Sequence, residues 1–243
     1  MFFLSFTVLN IASGAAFTTP LAERPDEPVP HGAMPTDWVE HPFIEPNPEP
    51  KLSDGERDAG FMTFSRAITE PVYRETKPQD GERISSLRGF AAQGERAQFT
   101  FAVYPDRDLT DFGAVADTPF PATLEQITYS PFIYAHYHTR GKYRVGPAYL
   151  VPAAKSLLRK GEPLRYVLAV KVPGDATPGR YLGRVRLGHA SNPAAKEIPI
   201  ELTVLPFRLK RDPSQYRSAY VGAKYDMAKT VEYGFSIPGT IYI

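Results

Sequence analysis

Cysteine is absent from the 243 residues of this chain. Disulfides, thiolate nucleophiles, iron–sulfur clusters and cysteine-ligated zinc are therefore excluded. An excess of charge is also lacking, because 28 lysines and arginines face 27 aspartates and glutamates. This balance gives no general attraction to nucleic acid or to an anionic membrane surface, so we expect neither as a partner.

No apolar run in the sequence is long enough to span a bilayer. The longest candidate is the stretch MFFLSFTVLNIASGAA (residues 1–16), which ends in small residues suited to a signal peptidase. A basic n-region is missing, since the first basic residue is Arg24. We interpret residues 1–16 as a signal peptide and expect a secreted or periplasmic protein; a buried strand is the alternative.

The familiar catalytic and nucleotide-binding motifs are missing too. The sequence contains no Gly-x-Ser-x-Gly elbow, no phosphate-binding loop, no His-Glu-x-x-His and no dinucleotide fingerprint. It shows neither an internal repeat nor an amphipathic helix of three turns. We therefore predict no cofactor and no metal.

Proline is abundant in the N-terminal part of the chain. Nine of the 25 prolines lie between positions 20 and 50, and each removes a backbone donor and disfavours helix before it. We predict that residues 17–59 form an extended, solvated leader or linker, which Trp38 and Phe43 would pin to a neighbouring surface. The acidic residues Asp54, Glu56 and Asp58 are expected to be solvated charge.

Beyond Gly60 the hydrophobic pattern has a period of two, which is typical of strands. The alternation is clear in four segments, RAQFTFAVYP (96–105), RYVLAVKV (165–172), RYLGRVRL (180–187) and EIPIELTVLP (197–206). Turn residues separate them. We predict an all-β fold over residues 60–209, an antiparallel β-sandwich of the immunoglobulin-like or fibronectin-like kind.

A dense group of turn residues precedes the third of these strands. Asp175 accepts backbone hydrogen bonds in the turn, while Pro178 and Gly179 suit the two central positions of a type II turn. Tyr181 is placed to return its hydroxyl to a backbone group upstream, as in a tyrosine corner. We interpret these four residues as a structural corner without chemistry.

The same stretch carries a resemblance to a known family. VPGDATPGRYLGRVRL (172–187) and IPIELTVLPFRL (198–209) are similar to the N-terminal sandwich of glycoside hydrolase family 123-like secreted bacterial proteins. Further similar segments are residues 60–73, 87–109 and 160–173. In that family the sandwich precedes a (β/α)8 barrel, and only 34 residues follow Leu209 here. Residues 210–243 are thus expected to be the start of a truncated barrel domain or an irregular tail, and no catalytic residue is carried over.

Tyr134, His136 and His138 are the candidate ligand-binding residues. Residues two apart in a strand share a face, so both imidazoles would approach one metal ion, but no third ligand is indicated. Tyrosines nearby suit sugar stacking, core packing or a domain interface. The acidic run Asp106, Asp108 and Asp111 lacks the remaining ligands of a calcium loop and is interpreted as a polar turn.

Three functions remain open. The first is a non-catalytic accessory sandwich that packs against and orients a catalytic barrel, with polysaccharide as a further partner. The second is a stand-alone carbohydrate-binding or adhesion module that uses the tyrosine-rich surface. The third is an enzyme with an unrecognised site inside the sandwich.

Overall fold

The computed structural model of the chain describes residues 38–133 and 142–209, together with the backbone of two later strands. By contact density the chain divides into two units, Met1–Phe207 and Arg208–Ile243. In the second unit, β12 (Ser218–Val221) and β13 (Ile237–Thr240) pair in parallel. Within the described residues, no helix is long and apolar enough to cross a membrane.

In the described part of the first unit, most of the regular secondary structure is strand. Its elements in chain order are β1 (Val39–Glu40), α1 (Asp54–Ala59), β2 (Phe61–Phe64), a 3-10 turn (Asp80–Glu82), β3 (Leu87–Gln93), β4 (Arg96–Pro105), β5 (Leu109–Asp117), β6 (Ala122–Ile133), β7 (Lys142–Pro152), β8 (Ser156–Leu158), β9 (Leu164–Lys171), β10 (Gly179–His189) and β11 (Asn192–Arg208).

These strands form two sheets. The six-stranded sheet has the order β1-β7-β6-β9-β4-β2, and the five-stranded sheet has the order β3-β11-β10-β5-β8. The prediction of an all-β fold is confirmed. The sheets are not purely antiparallel, because the short β1 pairs in parallel with β7. The finer expectation of an immunoglobulin-like or fibronectin-like strand order is not confirmed and stays a prediction.

The main core is built from the inward side chains of both sheets. Alternate residues of the four predicted strands are buried as their period of two indicates, for example Phe99, Leu168, Val185 and Ile198. At about 1.5–3 kcal/mol for each fully buried large apolar side chain, this layer is the principal stabilising feature of the fold.

A second core covers the other face of the six-stranded sheet. Phe64, Val72 and Tyr104 belong to this cluster of buried residues, and Leu52 of the leader packs against it. Tyr104 lies between the inward-facing positions of β4, so its side chain points away from the main core. Residues from the leader and from the segment after β2 therefore form a third layer.

The leader differs from the sequence expectation, because its described part, from Trp38 onward, is packed. Glu49 accepts a hydrogen bond of 2.5 Å from the hydroxyl of Tyr104 and pairs with Lys77 at 2.8 Å. The side chain of Glu45 is almost fully buried and lies 3.7 Å from the guanidinium of Arg66. These contacts attach the proline-rich segment to the rest of the first unit, while other side chains of the segment, such as Ile44, remain exposed.

The acidic residues at the end of the leader are also ordered. They lie in α1, which begins with a capping box between Ser53 and Glu56 and ends at Gly60 with a φ of 84°. Glu56 pairs with Arg83 at 3.1 Å. The prediction that these residues are merely solvated charge is therefore wrong for Glu56, whose capping and ionic roles require a folded environment.

Candidate functional site

The predicted ligand-binding residues belong to the connection between β6 and β7. These two strands form an antiparallel hairpin whose last described pair is Ile133 with Tyr143. Tyr134, His136 and His138 lie in residues 134–141, outside the described residues. Their roles in binding a sugar, or a metal, stay predictions.

The described end of the hairpin carries an exposed aromatic side chain. Phe132 is 39% exposed, and its cross-strand partner is Arg144. Two residues further along the ladder, Ser130 pairs with Gly146, and a Cβ atom at Gly146 would lie 2.4 Å from Cε1 of Phe132. The absence of a side chain at Gly146 is thus what lets the phenyl ring settle against the strand.

Two further rings adjoin the same glycine. Tyr73 has its Cε1 atom 3.2 Å from the position of a Cβ at Gly146, and it stacks on Phe43 with ring centroids 4.4 Å apart. The guanidinium carbon of Arg144 lies 5.6 Å from the centroid of Tyr73 and 5.9 Å from that of Phe43. We call Phe43, Tyr73, Phe132 and Arg144 the hairpin aromatic cluster.

Main-chain contacts hold this cluster together. The Nε atom of Arg144 donates to the carbonyl of His41 at 3.1 Å, and the amide of His41 donates to the carbonyl of Tyr143 at 2.7 Å. His41 of the leader is therefore joined to β7 by one main-chain hydrogen bond and one side-chain hydrogen bond. The cluster unites three separate chain segments, which is why local sequence patterns do not reveal it.

The three other described tyrosines of this region differ in exposure. Tyr129 is partly buried, and its hydroxyl lies 3.0 Å from the carbonyl of Val72 and 3.1 Å from that of Pro163. Burial raises the pKa of this hydroxyl, and the charge of Glu75 acts in the same direction. Tyr143 is buried, whereas Tyr149 is half exposed. Tyr134 and Tyr137 lie outside the described residues, so the tyrosine-rich surface expected from the sequence stays a prediction.

Arg165 is an unexpected buried cation beside Tyr129. Only 3% of the residue is exposed, and its guanidinium donates to the carbonyls of Arg66, Ala67 and Glu70 at 2.7–2.9 Å. Burial lowers the pKa of this group, although an arginine stays charged. These hydrogen bonds hold the segment after β2 against β9 of the six-stranded sheet.

The residues predicted to form the corner lie at the start of β10. The hydroxyl of Tyr181 donates to the carbonyl of Thr177 at 2.8 Å. Asp175 lies in a turn closed by a 3.2 Å bond from the amide of Ala176 to the carbonyl of Pro173. Both hydrogen bonds join residues of the turn region to one another, and the interpretation of these residues as a purely structural corner stays a prediction.

One detail of the corner differs from the expectation. A type II turn requires a φ of about +80° at its third residue, but Gly179 has a φ of 154° and is already the first residue of β10. The hydrogen-bonded turn lies earlier, between Pro173 and Ala176. Pro178 instead occupies a bend before the strand.

The acidic residues after β4 have separate contacts. Asp108 accepts a 2.8 Å hydrogen bond from the amide of Lys160, while Asp106 lies 3.6 Å from Arg107. No group of three or more histidine, aspartate or glutamate residues in the described part of the chain is arranged to hold a metal ion. Asp111 adopts a positive φ of 52°, which suits a turn or bulge residue.

Comparison with known proteins gives a fold but no family. No protein-family model matches the chain, and no curated protein matches it. Among solved structures, the fold is similar to part of a family 123 glycoside hydrolase from Clostridium perfringens, with a TM-score of 0.57 at 10% identity. The match covers 66% of this chain and 30% of the hydrolase, so the chain corresponds to less than a third of that enzyme.

A second solved structure matches only loosely. It is a PapD-like domain of human CEP192, with a TM-score of 0.27 and 13% identity over 58% of this chain and 97% of that domain. At this score the match carries no argument. The comparisons therefore support a glycoside hydrolase-like fold for part of the chain.

Proposed function

We propose that this chain is the non-catalytic accessory β-sandwich of a glycoside hydrolase-like protein, and that it packs against and orients a catalytic barrel. The observation that carries the proposal is the partial fold match, which covers two thirds of this chain but only 30% of the family 123 enzyme.

The accessory role is tested with the gene beyond the codon for Ile243. The downstream reading frame is expressed with and without the sandwich, and both products are assayed for unfolding temperature and for hydrolysis of aryl glycosides. The proposal expects a barrel-coding frame, loss of stability when the sandwich is removed, and no hydrolysis by the present chain. Hydrolysis by this chain that is lost on mutating one carboxylate overturns it, as does a barrel unaffected by removal of the sandwich.

Export is part of the same proposal. Residues 1–16 would act as a signal peptide and place the protein outside the cytoplasm, where polysaccharide substrates are found. N-terminal sequencing of the protein purified from its host tests this point. A mature chain that begins shortly after Ala16 supports export, and an intact Met1 in a cytoplasmic fraction contradicts it.

A stand-alone carbohydrate-binding or adhesion module is the second candidate function. The partly exposed Phe132 in the hairpin aromatic cluster favours it, because an aromatic side chain at a surface is a recurrent recognition element. Sugar affinity in the isolated chain would support this candidate, and an active barrel encoded downstream would favour the accessory role.

A further inference from the structure

β4 has an open edge over part of its length. β9 pairs with it at residues 96–103, but β2 pairs with it on the other side only at residues 102–105. Beyond β2 the chain leaves the sheet edge, and the carbonyls of Arg66 and Ala67 accept hydrogen bonds from the buried Arg165. In the described part of the chain, no strand pairs with β4 on this side before position 102.

The main-chain groups of Gln98 face this open edge. The carbonyl of Thr100 accepts a 2.8 Å hydrogen bond from the hydroxyl of Ser65, the first residue after β2, so this carbonyl points away from β9. On the β9 side, the amide of Val172 donates to the carbonyl of Glu95 at 2.9 Å. Alternate residues of a strand direct their amides and carbonyls to the same side. The amide and the carbonyl of Gln98 therefore point to the open edge, as those of Thr100 do.

The open edge borders a groove of about 590 Å³. Gln98 and Thr100 line its β4 side, and Arg88 of β3 lines the side that belongs to the five-stranded sheet. Ile68, which is 58% exposed, belongs to the wall formed by the segment after β2. The groove thus combines strand main-chain groups, an accessible apolar side chain and a cation.

The charge of the groove is positive. The described residues that line it include Arg66 and Arg88 but no carboxylate. Arg66 is bridged to Glu82 at 2.5 Å. The side chain of Arg88, by contrast, is 77% exposed and lies 4.0 Å from Glu201, which Arg180 already holds at 2.6 Å. Arg88 therefore retains positive charge for a partner that brings a carboxylate.

These features favour an extended peptide as the occupant. A sheet edge binds a peptide through main-chain hydrogen bonds, and neighbouring pockets select alternate side chains. An acidic polysaccharide would complement the charge of Arg88, but it lacks the regularly spaced amides and carbonyls that match the edge at Gln98. Because successive side chains of a strand point to opposite faces, a peptide on this edge would direct one set toward Ile68 and the other toward β3.

We propose that the groove binds an extended acidic peptide, which adds a strand to the open edge of β4 at Gln98. Apolar side chains of the peptide would contact Ile68, and its carboxylates would pair with Arg88. The partner is thus a protein segment in which apolar and acidic residues alternate. The inference does not depend on the accessory role or on a barrel.

The test uses the whole chain and a fluorescent, end-blocked peptide of four Val-Asp repeats in an anisotropy titration. We expect this peptide to bind, and its Val-Lys counterpart to bind at least about tenfold more weakly. Two further forms carry N-methyl groups on either the valine or the aspartate amides. A strand added to one edge uses only alternate amides, so one N-methylated form should lose binding while the other keeps it. Equal affinity of these two forms, or no binding of the unmodified peptide, overturns the proposal.

A matched pair of charge reversals locates the site on the chain. Arg88→Glu should weaken binding of the Val-Asp peptide at least about tenfold. Arg186→Glu makes the same change at an exposed arginine of β10 in the same sheet and should leave the affinity unchanged. Equal losses in the two variants would show a general charge attraction and overturn the site.

Gln98→Pro removes the amide at the open edge and should abolish binding. If this variant fails to fold by circular dichroism, hydrogen exchange of the Gln98 amide in the wild-type chain replaces it. Slower exchange in the presence of the peptide supports strand addition, and unchanged exchange contradicts it. Binding of polygalacturonate without binding of the peptide would assign the groove to an acidic glycan and also overturn the proposal.

Discussion

The two sheets of this protein use their outer faces differently. β9 lies in the middle of the six-stranded sheet, and every residue from Leu164 to Val170 is buried. β10 lies in the middle of the five-stranded sheet, and its residues alternate between buried and exposed over much of its length. Among the described residues, the difference arises because the leader from Trp38 onward and the segment after β2 pack on the six-stranded sheet and not on the five-stranded one. An open sheet face keeps its ion pairs in water, whereas a covered face must satisfy its polar groups internally.

The largest expected effect tests whether the third layer, which covers the six-stranded sheet, is a true core. Phe64→Ala removes a fully buried ring from the second core and should lower the free energy of unfolding by about 3–5 kcal/mol. Phe90→Ala on the open side should change it by less than about 0.5 kcal/mol. Urea unfolding of both variants provides the measurement. Similar values for the two would show that the covering layer contributes no packing energy.

A second comparison concerns cations on the two outer faces. Arg165→Met would leave three loop carbonyls without their buried donor and should cost about 3 kcal/mol. Arg184→Met on the five-stranded sheet breaks only exposed pairs with Asp117 and Glu197 and should cost less than about 1 kcal/mol. Equal destabilisation of the two variants in urea would contradict the distinction between covered and open faces.

The covering layer should also be sensitive to acid. Burial raises the pKa of Glu56, but hydrogen bonds from Ser53 and Arg83 outweigh it, so this pKa lies below its usual value. A pKa lowered by folding adds stability that is complete above the unfolded pKa of about 4.3 and is lost as the pH falls through the folded value.

Glu56→Gln should therefore cost about 1 kcal/mol at pH 7 and progressively less below about pH 4. Thermal unfolding across that range measures the convergence with wild type. Glu197→Gln is the control, because its pair with Arg184 is exposed and should cost less at every pH. A penalty for Glu56→Gln that stays constant down to pH 3 would rule out the ionic role.

The smallest effect is expected at the corner of the five-stranded sheet. Tyr181→Phe removes one hydrogen bond to the carbonyl of Thr177 while keeping the ring against Phe120, so the loss should be about 0.5–1 kcal/mol. Unfolding midpoints at high precision are needed to detect it. A loss as large as that of Phe64→Ala would mean that the corner, and not the covering layer, dominates stability.

The burial pattern of the five-stranded sheet was easier to predict from the sequence than that of the six-stranded sheet. Along β10 and β11, Val185, Leu187, Ile198 and Ile200 are buried and their neighbours are largely exposed, because one face meets the core and the other meets water. In β9 the same reasoning identified Tyr166 and Leu168 as inward. It could not foresee that Arg165, on the opposite face, is buried as well.

The leader also shows what sequence patterns cannot predict. Proline content disfavours a helix before position 50, and the described residues 38–50 contain none, but it carries no information on what that backbone contacts. The spacing of Ser53 and Glu56 is that of a capping box, which predicts the start of α1. The approach of Phe43, Tyr73 and Phe132 to one another has no local signal, because the three rings come from distant parts of the chain.

The sequence by itself determined that the protein is all-β, which alternating residues belong to the main core, and that cysteine chemistry is excluded. These properties follow from the two-residue period of a strand and from composition, both of which are local. Only the tertiary structure decided that one sheet is covered by a third layer and that an aromatic ring is fixed on Gly146. Such contacts join residues far apart in the chain, and their free energy depends on packing and desolvation that exist only after folding.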